Sequence, residues 1–246
     1  MRLKTNLHLH TADDPKDWIR YSAREAIDRA AALGFEVLGL TCHGFFAGKE
    51  EYTAYAASKN ILLIPGIELA LNGPTKLQGR HVVVLNCGKD IESARTLDDL
   101  ADYKYDHPQI FILAPHPFYP HPLERVSLFG YLEKYINLFD AVEWSWFYAR
   151  GLNGRNRRAE EIATIYRKPL IATSDTHYLE YLDFSYAFVE AEVKSAGAVL
   201  QAVSEGKFEN ISPPRKFWRE MVYDYTLRKI IFGDLISKTF SRRKSP

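Results

Sequence analysis

Asn6-Leu7-His8-Leu9-His10-Thr11 closes the first apolar run of the chain, which begins at Leu3. Alternate residues of a strand project from one face, so His8 and His10 stand side by side and can aim at one point. Imidazoles set in this way are suited to share a metal ion. Further on, His43, Glu68, His116, Asp175 and His177 stand where later strand-like runs stop. This recurrence predicts a scaffold that gathers strand ends at one place.

A polar, proline-containing loop over 12–17 follows the first strand. Ser22 with Glu25 three residues on has the form of a capping box, and Ala23, Ala26, Ile27, Ala30 and Ala31 keep helical spacing as far as Gly34. The stretch 36–41 is nearly all apolar, as a strand buried on both faces requires, and it delivers Cys42-His43-Gly44. The pattern repeats with a helix over 49–59 and a strand over 61–64 leading into Pro65-Gly66-Ile67-Glu68. A hairpin or excursion over 69–77, turning at Asn72-Gly73-Pro74, precedes a strand over 81–86. His81 opens that strand where the other histidines close theirs, which predicts an antiparallel strand.

Beyond it the spacing predicts a helix over 91–103, a strand over 109–114 with Pro115-His116-Pro117, and a helix over 123–139. A strand over 140–143 leads to an aromatic, basic loop over 144–158. A helix over 159–166, a strand over 169–173 ending in Ser174-Asp175-Thr176-His177, a strand over 185–192 and a helix over 195–205 complete the series. Alternation of this kind means an α/β protein with a mostly parallel sheet. Polar residues at the carboxyl ends of the strands, in a chain of 246 residues, favour a closed TIM-like barrel over a doubly wound sheet. The first strand is not followed by a glycine-rich phosphate loop, which argues against a dinucleotide fold.

Residues 1–212 are expected to form the barrel. In 213–246, Phe217, Trp218, Met221, Tyr225, Leu227, Ile230 and Ile231 alternate with charges at loosely helical spacing, ending in Ser241-Arg242-Arg243-Lys244. A helical extension packed on the barrel, with a basic tail, is the expectation, and a membrane-surface or partner helix is the alternative.

Hydrophobic content of 46% and charged content of 26% supply an ordinary globular core, and a formal charge of +1 gives no general reason to expect a polyanion partner. Two cysteines, Cys42 and Cys87, fit a reducing cytoplasm better than a disulfide framework. With a polar His-x-His by residue 8 no signal peptide is expected, and no run approaches the roughly 20 apolar residues of a membrane span. A cytoplasmic protein is expected.

Six of the eight histidines, with two carboxylates, fall at strand ends, which predicts a multinuclear metal site. Histidine and carboxylate donors suit zinc, iron or manganese, and suit magnesium poorly. His8-Leu9-His10, Thr41-Cys42-His43-Gly44, Gly66-Ile67-Glu68, Ala114-Pro115-His116-Pro117 and Ser174-Asp175-Thr176-His177 resemble, in order, the motifs of the PHP superfamily of polymerase-associated and histidinol-phosphatase-like domains. The likeness covers residues 3 to about 192. It implies a distorted (β/α)7 barrel and a metal-dependent phosphoesterase with two or three divalent ions. It also implies a first ion on His8, His10, Glu68 and Asp175, and a second on Glu68, His81 and His116. A third would take His43, His177 and an acidic residue of the first loop, with Glu68, Asp175 and His177 in catalytic roles. The first loop departs from the family pattern, offering Asp13, Asp14 and Asp17 without glycine; Asp14 is favoured. Cys42 stands where aspartate is common, as a packing residue or a soft ligand.

Phosphomonoester hydrolysis is among the slowest reactions in water, and a hydroxide held between two ions is a competent nucleophile at neutral pH. The expected substrate is a small phosphorylated metabolite or a nucleotide. Arg155 and Arg158, beside Arg150, Arg157 and the aromatic residues Trp144, Trp146, Phe147 and Tyr148, are the candidate phosphate-gripping residues. A nuclease of the same metal chemistry is the runner-up, although a near-neutral chain offers little basic groove. A carbon–nitrogen hydrolase would need a carboxylated lysine where Glu68 stands. A non-catalytic metal-binding regulatory module would be expected to lack ligands. A serine triad from Ser174, Asp175 and His177 is disfavoured, because the spacing directs the last two to the shared strand-end site.

Overall fold

Capping chemistry sets the first helix. In the computed structural model, which describes residues 1–119 and 126–216, Ser22 and Glu25 exchange both bonds of a capping box. The helix they open, α1 (Ala23–Ala32), lies between β1 (Arg2–Leu9) and β2 (Val37–Leu40). After α2 (Glu50–Ser58) come β3 (Leu62–Thr75), β4 (Gln78–Leu85), α3 (Leu97–Asp106), β5 (Phe111–Ala114) and α4 (Gly130–Lys134). The described chain continues through β6 (Ala141–Ser145), α5 (Gly154–Ile165), β7 (Leu170–Thr173), β8 (Tyr186–Glu190), α6 (Ala196–Ser204) and β9 (Phe208–Ile211).

Among the described residues nine strands form one sheet, in the order β7-β6-β5-β4-β3-β2-β1-β8-β9. Seven β/α units are expected from the sequence, so the strand count differs. Half of the pairings are antiparallel: β4 with both β3 and β5, and β8 with both β1 and β9. The sheet is a nearly closed, distorted TIM-like barrel. Closure is made along one seam, where β7 meets β9 and the segment after β7 meets the end of β1. Asn210 of β9 accepts from the Ala172 N–H and donates to the Leu170 carbonyl of β7, each at 2.8 Å. At the far end of the same seam, the His10 N–H donates to the Thr176 carbonyl at 3.1 Å and the Thr176 N–H to the His8 carbonyl at 3.3 Å.

The strand expected over 81–86 begins earlier, at Gln78, and the antiparallel course of β4 explains why His81 lies in its amino-terminal half. The carboxyl end of β3 and the amino end of β4 lie on the same side of the barrel. The hairpin between them turns at Lys76-Leu77, not at Asn72-Gly73-Pro74. Asn72 instead takes a left-handed conformation (φ 53°) at an irregularity inside β3, where its side chain accepts the Leu97 N–H at 3.0 Å. Asparagine tolerates that conformation well, so a turn signal serves here as a bulge.

Three other expectations are corrected. The helix over 91–103 is a 3-10 segment, Lys89–Ser93, followed by α3, which has its own capping box from Thr96 and Asp99. The helix over 123–139 is reduced, within the described residues, to α4 and a 3-10 turn, Ile136–Leu138. Arg155, Arg157 and Arg158 lie on α5 and not in a loop.

Leu3, Val37, Ile64, Phe111, Ala141 and Ile171, near the amino ends of their strands, pack with Val199, Leu200 and Val203 of α6 into one buried cluster. Each of the larger side chains removed from water, Ala141 apart, contributes about 1.5–3 kcal/mol. This apolar layer fills the amino-terminal half of the barrel, leaving the carboxyl ends for polar groups. Helices α1 and α2 cover one outer stretch through Ile27, Ala30 and Ala56, and α3, α4 and α5 cover another through Leu97, Leu100, Leu132 and Ile162.

Among the described residues the chain divides into two units, 1–146 with 154–213, and 147–153 with 214–216. In the second, Ala149 bridges to Leu152 and to Arg215, whose N–H donates to the Tyr148 carbonyl at 3.0 Å. The expected helix and basic tail beyond Lys216 lie outside the described residues. No helix among the described residues is long and apolar enough to cross a membrane.

Candidate metal centre

Glu68, fully buried on β3, is the hub of the carboxyl-end cluster. Its Oε2 lies 3.2 Å from His8 Nε2, 3.2 Å from His10 Nε2 and 3.0 Å from His43 Nε2. Its Oε1 lies 2.7 Å from His81 Nδ1 and 3.3 Å from His116 Nε2. Asp175 Oδ1 completes the gathering, 3.2 Å from His10 Nε2 and 3.4 Å from both His8 Nε2 and His177 Nδ1. The nine residues singled out as ligands from the sequence thus converge, since Asp14 contacts His10 and His43.

Backbone pairing puts the motifs next to one another. His43 forms a parallel bridge with Glu68, with the Glu68 N–H donating to the Cys42 carbonyl and the Gly44 N–H to the Glu68 carbonyl. Asn6, buried beneath His8, donates to the Ser174 hydroxyl and the Leu182 carbonyl, tying the first motif to the last. His116 and Asp175 have left-handed backbones (φ 27° and 43°). Such conformations cost about 1–3 kcal/mol in residues other than glycine and gather at functional sites.

Four of the imidazoles are oriented by what Nδ1 meets, whereas His116 Nδ1 is buried without a hydrogen-bond partner. His10 Nδ1 donates to Asp14 Oδ2 at 2.8 Å and His43 Nδ1 to the same oxygen at 2.9 Å. His177 Nδ1 donates to the Asp175 carbonyl at 2.9 Å, and His8 Nδ1 to Glu143 Oε2 at 2.8 Å. With their protons held on Nδ1, these rings present Nε2 as the donor atom, the usual arrangement of metal-bound histidine. His81 is arranged in reverse: Lys16 Nζ lies 3.1 Å from its Nε2, and Nδ1 faces Glu68.

Burial acts against charge throughout the cluster, and mutual attraction overcomes it at most positions. His8 is depressed by burial but raised by Asp175, Glu68 and Glu143, with the net result at about 10. Burial likewise opposes ionisation of Glu68 and Asp175, yet the surrounding imidazoles hold both carboxyls well below the usual carboxylate range. Burial prevails at His81, pushed down to about 3 despite Glu68, which leaves that ring neutral. Burial also raises the Cys42 thiol, which packs in the α1–α2 core with Thr11 Oγ1 at 3.4 Å.

Two features fit bound cations. His81 Nδ1 and Asp175 Oδ1 are buried without an aligned hydrogen bond, although 2.7 Å from Glu68 Oε1 and 3.2 Å from His10 Nε2. His8 Nε2 and His10 Nε2 face each other at 3.1 Å beside two carboxylates. A cation among them satisfies lone pairs that otherwise need protons. Four sets have ligand atoms within 4.8 Å of one another: His8, His10, Glu68 and Asp175; His43, Glu68 and His81; His10, His43 and His177; and Asp14, Asp17 and His43. His116 stands outside these sets but touches Glu68.

The arginines do not reach the cluster through any of these contacts. Arg158 is exposed and paired with Glu133 and Glu161, at 2.8 and 3.3 Å. Arg155 lies over the Tyr119 ring at 5.7 Å, and that ring is 6.1 Å from His116. Two participants escape the sequence reading. Lys16 carries no motif. Glu143 does carry a signal, a carboxylate inside a buried apolar strand, which requires a polar partner.

A barrel whose strand ends gather imidazoles around carboxylates defines a scaffold for a metal centre. The chain belongs to the PHP domain family, whose family model matches residues 6–225. A comparison with curated proteins finds no match. Among solved structures, it resembles a two-domain protein of Bacteroides vulgatus containing a predicted PHP-like metal-dependent phosphoesterase, at 16% identity and TM-score 0.65, over 86% of this chain and 65% of that one. PsfC of Pseudomonas syringae matches at 15% identity and TM-score 0.60, over 92% of this chain and 99% of that one. The lesion-specific endonuclease PfuEndoQ of Pyrococcus furiosus matches at 13% identity and TM-score 0.60, over 85% of this chain and 58% of that one. At these identities the likeness is one of fold. The chain spans about two thirds of the first of these proteins.

Proposed function

We propose that this chain is a phosphoesterase that hydrolyses a phosphate ester of a small metabolite or nucleotide at two or three divalent ions. Zinc, manganese and iron suit its donors. The observation that carries this reading is Glu68, whose two oxygens face two different groups of imidazoles, His8, His10 and His43 on one side and His81 and His116 on the other. A carboxylate so placed can bridge two ions. His8, His10, Glu68 and Asp175 would hold the first, and Glu68, His81 and His116 the second. His43 and His177 would hold a third with a first-loop aspartate.

Asp14 is heavily engaged for that last role. Its Oδ1 accepts the N–H groups of Lys16 and Asp17, and its Oδ2 accepts the His43 N–H and two imidazoles. Asp17 Oδ2 lies 3.1 Å from His177 Nε2 and 3.4 Å from His43 Nδ1, and supplies the freer carboxylate. When bound, the ions supply an activated water and positive charge to offset the phosphate oxygens. Asp14 fixes the His10 and His43 rings, and Asp175 and His177 border the reacting space as ligands. Arg155, one ring away from His116, grips the substrate phosphate.

Metal analysis of the purified protein, coupled to phosphate release from nucleotides, sugar phosphates and histidinol phosphate, tests this reading. Bound transition metal with turnover of a monoester is the expected result. Metal without release from any ester overturns the enzyme reading, and cleavage confined to an oligonucleotide replaces it with a nuclease.

A further inference from the structure

We infer that Glu143 is a positioning residue that locks two candidate ligands, His8 and His116, through the two oxygens of one carboxylate. The inference deepens the metal-bearing reading above and rests on it. Glu143 is fully buried on β6, a strand whose register places Val142 opposite Ala114 at the end of β5. That register carries Glu143 beside the turn leading from Ala114 to His116. Oε2 accepts from His8 Nδ1 at 2.8 Å, and Oε1 accepts from the backbone N–H of His116 at 3.2 Å.

The consequences differ for the two partners. For His8, a carboxylate on Nδ1 keeps the proton there and leaves Nε2 facing Glu68 and Asp175, at 3.2 and 3.4 Å. For His116, the bond anchors the amide of a residue held at φ 27°, a backbone that persists only when its surroundings over-determine it. His8 comes from the first strand and His116 from the fifth, so one side chain sets the aim of ligands assigned to two different ions. Partners behind a ligand commonly govern metal affinity by 10–100-fold.

Glutamine cannot replace glutamate here. Its side chain offers one acceptor oxygen and one N–H2 group, whereas both of the groups it must meet are donors. With the oxygen toward His8, the amide N–H2 confronts the His116 N–H. With the oxygen toward His116, the N–H2 confronts His8 Nδ1 and drives the proton to Nε2, the atom that should bind metal.

The test compares wild type and Glu143→Gln, both stripped of metal and titrated with zinc against a chromogenic chelator. Melting of the metal-free proteins is followed alongside. The expected result is a 10–100-fold weaker zinc affinity in the variant, whose metal-free form still unfolds cooperatively with a melting temperature lowered by several degrees for the one buried donor left unmatched. Equal affinities within about twofold, or an affinity loss matched by collapse of the metal-free fold, overturn the inference. Should the variant not fold, nitrogen-15 NMR of the zinc-loaded wild type decides. A His8 ring protonated on Nδ1 and bound through Nε2 supports the assignment, and binding through Nδ1 refutes it. Neither readout depends on turnover, so wild type that holds zinc yet releases no phosphate defeats the phosphoesterase reading alone. Wild type that takes up no zinc defeats both.

Discussion

Asp14 Oδ2 accepts from both the backbone N–H and the imidazole Nδ1 of His43, at 2.8 and 2.9 Å, and from His10 Nδ1 at 2.8 Å. Under the proposed assignment a carboxylate this committed acts on the candidate ligands, while Asp17, 3.1 Å from His177 Nε2, would serve as one. Asp14→Asn should therefore lower metal affinity across the cluster and also lower stability, by about 1–3 kcal/mol for the buried donors it leaves unmatched. Asp17→Asn should remove one ion and leave the melting temperature within a few degrees. Metal stoichiometry and thermal unfolding of the two variants separate these roles, and equal ion loss in both would contradict the division.

Glu68→Gln halves the acceptor capacity that faces five imidazoles. The expected outcome is a fall in bound metal, with kcat reduced by about a thousandfold or more, because the ions and their electrostatic support are lost together. Elemental analysis with steady-state kinetics checks this. A Glu68→Gln variant with full metal content and full activity would place the bridge elsewhere.

The two arginines should separate in the kinetics. Arg155→Ala is expected to raise KM by about tenfold with metal content unchanged, since the lost contact is to substrate. Arg158→Ala should leave KM and kcat near wild type and cost at most about 1 kcal/mol, the ordinary worth of exposed ion pairs such as those to Glu133 and Glu161.

Removal of metal should abolish hydrolysis, and manganese or zinc should restore it. The metal-free protein should itself be less stable, because buried Glu68 and half-buried Asp175 would then rely on protonated imidazoles alone. Melting curves with and without added metal read the effect. Undiminished turnover in a verified metal-free sample would exclude metal catalysis.

Gly39 of β2 should tolerate no side chain. A Cβ there would lie 2.7 Å from the Leu7 carbonyl oxygen, a backbone atom that cannot rotate away. Gly39→Ala is expected to destabilise the fold by about 1–3 kcal/mol and to displace β1 beside His8. Reduced metal affinity should therefore accompany the lower melting temperature, and an unperturbed variant would show that β1 has slack.

The sequence by itself determined what depends on near neighbours along the chain. Alternation in Leu7-His8-Leu9-His10 puts two imidazoles on one face, a capping box starts α1, and the reversed place of His81 implies an antiparallel strand. Asn72-Gly73-Pro74 was legible as a chain irregularity but not as a bulge. The choice between bulge and turn belongs to the pairing of β3 with β4 and to the bond from Leu97, neither of which is local. The same holds for α5, which captures Arg155 and Arg158 from an apparent loop, and for β9, whose weakly patterned residues become a strand by pairing with β8. Within the site, residue types and strand ends pointed to the ligand candidates, because metal donors come from a short list of side chains. Only the tertiary structure could give Glu143 its partner, 135 residues away, since hydrogen-bond geometry exists only after β1 and β6 take their places in one barrel.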